Sequence, residues 1–448
     1  MKTLAIMAGA ASGAFLLALG AQAADAPKAV MQLAQASAPT AARIAQIYEE
    51  RCKFCHEPAV DRAPSREAMG ALPPSQIAEA LTRGVMQPMA DGLSPAEIQG
   101  LAAFLGAKPA AAPPPPAAAP AQGAARPAAP PAARAVGTQP DDVKCAVNPP
   151  IKTASTDWNG YGKDLVNTRY QPNTSITPAN VGKLKVKWAF SFAGGRHGQP
   201  TIIGDHLFIT GGAGHVYSLD AKTGCVHWRA MMEAGGRTSP VVERRPGASP
   251  SGWMVYVGDS QRNVYGLDTM TGQQIWKINV DKHPRGVLTG SPILYKDRLY
   301  VPVSSLEETI ASVATYGCCT FSGAVAAIDL NKKEMVWKTQ MLDPPQPTRK
   351  NAAGTQMFGP AGAAIWSQPT VDAKRNQIYV ATGDSYTEID ANRSDAVVAL
   401  DMTTGKIKWH NQVTKYDNFL VGCGGARPGI NCPLGPLGPD VDFGASPI

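Results

Sequence analysis

The sequence predicts a small all-α domain followed by a larger all-β domain assembled from repeated sheets. Three observations predict it. Cys52-Lys53-Phe54-Cys55-His56 lies between two segments whose apolar residues recur at helical spacing. Residues 107–135, "AKPAAAPPPPAAAPAQGAARPAAPPAARA", are almost all Ala and Pro; they cannot bury a core and read as an extended, semi-rigid linker. Beyond that linker, a Trp falls eight residues after an Asp four times: Asp220 to Trp228, Asp268 to Trp276, Asp329 to Trp337 and Asp401 to Trp409.

At the N-terminus, Lys2 precedes an apolar run that ends in Ala21-Gln22-Ala23. A basic start, a short hydrophobic stretch and an A-x-A site predict a cleaved secretory leader over 1–23. The run is short and rich in Gly, Ala and Ser for a membrane anchor, and no later segment is apolar enough to span a bilayer. The protein is expected to be exported, so its eight cysteines can be oxidised. Residues 24–39 read as a disordered lead-in.

The small domain spans 40–106. "TAARIAQIYEERC" is amphipathic. "SPAEIQGLAAFLG" carries Ser94 as N-cap, Pro95 at the first helical position and Glu97 at the third, and stops at Gly106. Between them, C-x-x-C-H predicts haem c: Cys52 and Cys55 form the thioethers and His56 binds the iron. A zinc site would need two further ligands nearby, and none follow. The second axial ligand is expected to be a Met, from "GVMQPMADGLSPAEI". Class I cytochromes c resemble this stretch, with the Met seven residues before the Leu-Ser that opens the last helix. That spacing, to Leu93, favours Met86; Met89 is the runner-up, or a packing residue at the haem edge.

The linker is taken as 107–140 and the large domain as 141–448. Three of the four Asp…Trp repeats contain Thr-Gly, and Asp329 has Lys-Lys instead. Each is preceded by a β-rich run opening on Pro: "GQPTII", "TSPVVE", "GSPILY" and "SQPTVD". Short strands with a periodic aromatic predict a β-propeller, one blade per repeat, with Asp-x-x-Thr-Gly as a tight hairpin and the Trp packed between blades. An earlier strand, "KLKVKWAF", surrounds Trp188, and "ASPI" at the end reads as the opening of a further repeat. The expectation is therefore a partial propeller, truncated from a longer chain. The formal charge of +7, from 42 Lys+Arg against 35 Asp+Glu, is spread along the chain, which is no signature of a nucleic-acid partner but suits docking to an acidic protein.

The stretch "DWNGYGKDLVNTRYQPNTSITPANVGKLKVKW", with "SDAVVALDMTTGKIKW" and "DFGASPI", resembles the quinoprotein alcohol dehydrogenases, from about residue 155 to 448. The cytochrome at the N-terminus, the Pro-rich linker and "CCTFSGAVAAIDL" resemble the branch of periplasmic quinohaemoproteins that includes the polyvinyl alcohol dehydrogenases. This resemblance implies an all-β, eight-bladed type of β-propeller that holds pyrroloquinoline quinone and calcium. It implies Trp366 on one face of the quinone, and Ser304 and Ser305 near its carboxylates, with weaker matches at Arg237 and Thr289. It implies calcium ligands at Glu307, with Glu308 as alternative, and at Asp384, where the family has Asn. The family's general base is an Asp, but its matching position here is Leu420. Asp442 and Asp417 are the candidates, with Asp440 beside them. "YGCCTF" places Cys318 and Cys319 side by side, and successive strand residues cannot both face inward. The family carries a disulfide between adjacent cysteines, stacked on the quinone, and the pair resembles it. Cys423 with Cys432, and Cys145 with Cys225, are expected to pair as well.

The function implied is oxidation of secondary alcohol groups to ketones, polyvinyl alcohol included, with electrons passing from quinone to haem c and on to an external cytochrome c. The alternatives are a dehydrogenase of small alcohols, or a non-catalytic envelope scaffold with a tethered cytochrome.

Overall fold

The computed structural model describes residues 39–57, 63–82, 86–90, 92–106, 143–192, 198–311, 313–423 and 430–448. The expected leader, residues 24–38 of the lead-in and the Ala/Pro linker at 107–140 lie outside the described residues.

The helical part contains α1 (Ala41–Arg51), α2 (Lys53–His56), α3 (Arg66–Gly70), α4 (Pro74–Thr82) and α5 (Pro95–Leu105), with a 3-10 turn at Gln87–Ala90. Both halves of the capping box form: Ser94 Oγ accepts from the Glu97 N–H, and Glu97 Oε2 accepts from the Ser94 N–H at 2.8 Å. Helices α1 and α5 meet at Gly100, where a Cβ would stand 2.7 Å from Ile44 Cδ1. Arg43 bridges to Glu97 at 3.0 Å beside that crossing. Ile47, Leu81, Leu101 and Leu105 fill the core between the helices.

The β part contains four four-stranded antiparallel meanders. Blade one is β1 (Thr201–Ile203), β2 (His206–Thr210), β3 (His215–Asp220) and β4 (Val226–Met231). Blade two is β5 (Val241–Arg244), β6 (Trp253–Gly258), β7 (Asn263–Asp268) and β8 (Gln274–Asn279). A short β9 (Gly286–Val287) precedes blade three, which is β10 (Ile293–Tyr295), β11 (Arg298–Ser305), β12 (Ala324–Asp329) and β13 (Glu334–Gln340). Helix α6 (Glu307–Ile310) interrupts that blade after β11, and a hairpin of β14 (Gln346–Lys350) and β15 (Gln356–Gly359) follows it. Blade four is β16 (Thr370–Asp372), β17 (Gln377–Ala381), β18 (Ala396–Asp401) and β19 (Ile407–Gln412). Every first strand begins at the residue after a Pro, a position where no ladder N–H is lost.

The Asp-x-x-Thr-Gly segments are the hairpins between third and fourth strands. Asp268 Oδ1 accepts from the Met270 and Thr271 N–H groups and from the Thr271 hydroxyl, all at 3.0 Å. Asp220 and Asp401 repeat the pattern. Gly224, Gly272 and Gly405 hold the left-handed position, with φ of 77°, 74° and 74°. In the third hairpin Lys333 takes it, at φ 58°.

Each repeat Trp that meets a following Thr-Gly stacks on it. A Cβ on Gly272 would stand 2.5 Å from the Trp228 ring, and one on Gly405 2.6 Å from Trp337. The indole N–H of Trp228 donates to Thr269 O at 2.7 Å, and that of Trp337 to Met402 O at 3.3 Å. Trp188 does the same for blade one, donating to Ala221 O at 3.2 Å. The strand expected around Trp188 is a correction, however: residues 184–192 pair with no ladder among the described residues.

Blades are joined again at their first strands. Thr201 Oγ1 donates to Pro240 O at 2.5 Å, Ser291 Oγ accepts from the Ser239 N–H at 2.9 Å, and Gln368 Nε2 donates to Pro292 O at 2.7 Å. Thr370 Oγ1 donates to Pro447 O, so "ASPI" takes the place that the other Pro-led runs take. The opening segment runs across these strands: Trp158 exchanges both backbone bonds with Ile202, Asn159 brackets Val242, Gly162 N–H reaches Gln368 and Asn167 reaches Thr370.

Candidate active site

In the helical part, the site rests on α2, which starts directly after α1 with Cys52 between them. Cys52 is buried, Cys55 is half-buried, and both are free thiols, three residues apart and one turn of helix. His56 is 6% exposed, and its Nδ1 lies 2.6 Å from Pro64 O. That carbonyl can only accept, so Nδ1 carries the proton and Nε2 is left as the coordinating atom. Two thiols and one oriented imidazole fit a covalently held haem. Met86 is half-buried against the helical core and Met89 is 5% exposed.

In the β part, blade three carries an insertion between β11 and β12, and Ser304, Ser305, Glu307, Glu308 and the Cys318–Cys319 pair lie in it or at its edge. Strand β11 ends in Ser304 and Ser305, which pair with Val287 and Gly286 of β9. Thr289 follows β9, and its buried hydroxyl has no hydrogen-bond partner among the described residues. Gly290 lies against the backbone of Trp366 and Ser367, where a Cβ would come within 2.7 Å of Ser367 O. The Trp366 ring faces Gly444, whose Cβ would stand 2.5 Å from it. Arg237 is exposed.

All three expected disulfides form: Cys145–Cys225, Cys423–Cys432 and Cys318–Cys319. The adjacent pair is 1% and 0% exposed. It belongs to one apolar cluster with Val303, Ala364, Tyr386 and Leu420, against which Trp366 also packs.

The two glutamates of α6 part company. Glu307 is fully buried, and its carboxylate accepts from the Thr320 N–H at 2.9 Å, the Phe321 N–H at 2.8 Å and the Tyr316 hydroxyl at 2.8 Å. Glu308 looks the other way electrostatically: burial first, then the charges of Asp442 and Asp440, push its carboxyl up to about 7.

Asp384 is 2% exposed and its Oδ2 has no partner among the described residues. Burial, then Asp442, Glu308, Asp395 and Asp440, hold it well above the usual carboxylate range. Asp442 Oδ1 accepts from the Asp384 N–H at 3.0 Å and approaches Gly383, where a Cβ would stand 2.1 Å away. Asp442 keeps a solvent-exposed face; partial desolvation raises its pKa, while the Asp384 N–H and the Trp366 side chain oppose that rise. Asp417 is different. It is 1% exposed, and its two oxygens accept from the Asp440 and Val441 N–H groups at 3.0 and 2.9 Å. Asp417 therefore shapes the loop that presents Asp442.

Asp395 was not singled out in the sequence, where "SDAVVAL" reads as an ordinary strand entry. It is fully buried, neither oxygen has a partner among the described residues, and burial followed by Asp417, Asp442 and Asp440 pushes it to about 8. Among the described residues, the charges acting most strongly on Glu308, Asp384 and Asp395 are all carboxylates. Among the described residues no group of three His, Cys, Asp or Glu side chains is placed so that it could hold a metal ion as it stands. Orphaned, mutually repelling buried carboxylates nevertheless fit a hard cation, which needs several oxygens and supplies the missing positive charge.

Two family models match. The cytochrome C oxidase, cbb3-type, subunit III family matches residues 39–105, and the outer membrane protein assembly factor BamB family matches residues 179–355. A polyvinylalcohol dehydrogenase of Pseudomonas sp is 42% identical over 94% of this chain and 65% of its own length. Over nearly its whole length the chain is thus similar to part of a polyvinyl alcohol dehydrogenase. A second, from Sphingopyxis sp. (strain 113P3), is 39% identical over 90% of this chain and 61% of its own length. The chain thus spans less than two thirds of the length of these polyvinyl alcohol dehydrogenases. A quinohemoprotein alcohol dehydrogenase of Comamonas testosteroni is 28% identical over 59% of this chain and 40% of its own.

Proposed function

We propose that this chain is the cytochrome and much of the catalytic propeller of an exported, quinone-dependent dehydrogenase of secondary alcohols, polyvinyl alcohol among them. The observation that carries the reading is the meeting of Trp366, the Cys318–Cys319 pair, Asp384 and a solvent-facing Asp442 around one blade insertion. The similarity to polyvinyl alcohol dehydrogenases over nearly the whole chain supports it.

Pyrroloquinoline quinone, held against Trp366 and the Cys318–Cys319 pair with Ser304, Thr289 and Arg237 toward its polar edge, would supply the hydride acceptor. Calcium, held by Glu308 and Asp384, would supply positive charge beside it. Haem c on Cys52, Cys55 and His56 would supply a one-electron acceptor. The chain's own residues do the rest. Asp442 is the open carboxylate, so it accepts the proton of the substrate hydroxyl. Asp417 is sealed and already engaged by two backbone donors, so it positions Asp442. The turn Gln87–Ala90, beside Met86, packs on α6, and Gln87 shares a cleft with Arg262, Arg285 and Leu306. That places the cytochrome loop next to the helix carrying Glu307 and Glu308. An external cytochrome c then removes the electrons. No helix among the described residues is long and apolar enough to cross a membrane.

The test is to add pyrroloquinoline quinone and calcium to the haem-loaded full-length gene product, then polyvinyl alcohol or a small secondary alcohol, and follow the reduced haem band. Reduction that needs both quinone and polymer is the expected result. Reduction by the small alcohol alone would move the substrate class, and no reduction by any alcohol would overturn the reading.

A further inference from the structure

We propose that Glu307 is a positioning residue for the Cys318–Cys319 disulfide, and that its neighbour Glu308 alone of the two serves the cation. The inference rests on the functional reading above and divides a Glu-Glu pair that the sequence leaves undivided.

The argument is one of donors. Glu307 is the first residue of α6 and has no solvent exposure. A buried carboxylate must be neutralised, coordinated or saturated with hydrogen bonds. Glu307 is saturated. Oε1 accepts from the Tyr316 hydroxyl, the Thr320 N–H and, at 3.3 Å, the Thr320 hydroxyl; Oε2 accepts from the Phe321 N–H at 2.8 Å and the Thr320 N–H at 3.1 Å. Every one of these donors lies in residues 316–321, on both sides of the two cysteines.

The other contacts of the loop agree. Cys319 N–H donates to Phe358 O, and Phe358 N–H donates to Cys318 O at 2.7 Å, which tethers the cysteine backbone to β15. His283 Nε2 meets Thr320 Oγ1 at 2.9 Å, and its ring meets Phe321 edge-on at 5.4 Å. The loop is thus held from β15, from His283 and from Glu307, and only Glu307 spans the pair from the Tyr316 side to the Phe321 side. Withdrawing its carboxylate to hold a cation would strand two backbone N–H groups in a buried setting, a cost of about 1–3 kcal/mol for each. Glu308 is half-buried and makes no such bond among the described residues, which leaves its carboxylate open to a cation.

The experiment compares Glu307→Gln, Glu308→Gln and the milder Tyr316→Phe with the parent protein, in the absence of quinone and alcohol. Release of the Cys318 and Cys319 thiols by a phosphine reductant is timed and located by mass spectrometry. Calcium affinity is measured by calorimetry. Glu307→Gln should speed release by about tenfold and Tyr316→Phe by a few fold, as expected for losing charge-assisted bonds. Both should keep calcium affinity within about twofold of the parent, while Glu308→Gln weakens it by about tenfold or more and leaves thiol release unchanged. If Glu307→Gln loses calcium as severely as Glu308→Gln and thiol release does not change, the proposal is overturned. Should Glu307→Gln fail to fold, Tyr316→Phe decides: unchanged thiol release overturns the proposal. A parent protein that binds no calcium would count against the cation part of the functional reading, and the thiol-release arm would still decide the role of Glu307.

Discussion

Replacing Trp228 with Ala tests whether the indole-on-glycine stack holds neighbouring blades together. Trp228 is 8% exposed, and its ring covers Gly272 of the next blade. A Trp buries up to about 250 Å², which at about 25 cal/mol per Å² is an upper limit near 6 kcal/mol. Truncations of this kind cost about 3–5 kcal/mol, and the lost bond to Thr269 O adds roughly 1 kcal/mol. The expected destabilisation is about 4 kcal/mol, read as the shift in urea midpoint by far-UV circular dichroism. Trp228→Phe keeps most of the ring contact and loses the N–H, so about 1–2 kcal/mol is expected. Trp409 is the internal control: it occupies the same repeat position but is 45% exposed, and among the described residues no hairpin covers it. Trp409→Ala should cost no more than about half of what Trp228→Ala costs, because about half as much surface leaves water. If the two truncations cost the same, the stack is ornamental and the blades are held by their first strands alone.

Two other outcomes follow from the same geometry. Burial first, then the His227 charge, lowers His206 to about 4, and Asp205 and Asp220 only partly oppose this. Its unfolded value is about 6.5, so between pH 6.5 and 4 the unfolded chain holds the extra proton and stability falls by about 1.4 kcal/mol per pH unit from this group. That stability is fully present above the unfolded value; His206→Gln should flatten the slope of urea midpoint against pH over that window. In the alcohol assay, Asp442→Asn should abolish turnover. Asp417→Asn, which keeps one acceptor oxygen for two N–H donors, should lower kcat by about tenfold to a hundredfold with KM little changed, the cost of a slightly misplaced base. Activity surviving in Asp442→Asn and lost in Asp417→Asn would reverse the two roles.

What the sequence made legible is what short-range chemistry fixes. The hairpins could be read because Asp, Thr and Gly satisfy one another within five residues, and the Trp follows at a fixed distance in the same hairpin. Even the deviant hairpin kept its shape, because the Asp329 carboxylate still takes the Asn331 and Lys332 N–H groups and Lys333 adopts the left-handed conformation. The capping box of α5 and the thiol-thiol-imidazole spacing are local in the same sense. The site was harder to read because its distinctions are long-range. Asp417 and Asp442 are alike in the sequence and differ only in what reaches them: two amides of residues 440 and 441 for one, the Asp384 amide and open solvent for the other. Glu307 and Glu308 differ only in the direction each takes from the start of a short helix. Asp395 carries no signal at all. The "KLKVKWAF" run misled because alternation marks a strand only when a neighbour supplies the ladder; its Trp188 is held through the indole instead.

The opening segment around Trp158 to Asn167 has a consequence for how the domain comes into being. Its bonds reach Gln368 and Thr370, 206 and 203 residues further along the chain. Contacts that close so long a loop form late, because the entropy of closure is lost before any contact rewards it. Blades one to three can each complete their own hairpins before blade four is made. The strap that crosses them can meet Ile202 and Val242 of blades one and two early, but its seat is completed only when blade four supplies Gln368 and Thr370. The first part of the domain to emerge is therefore the last to be fully seated, and until then Gly162 and Asn167 keep polar groups without their blade-four partners.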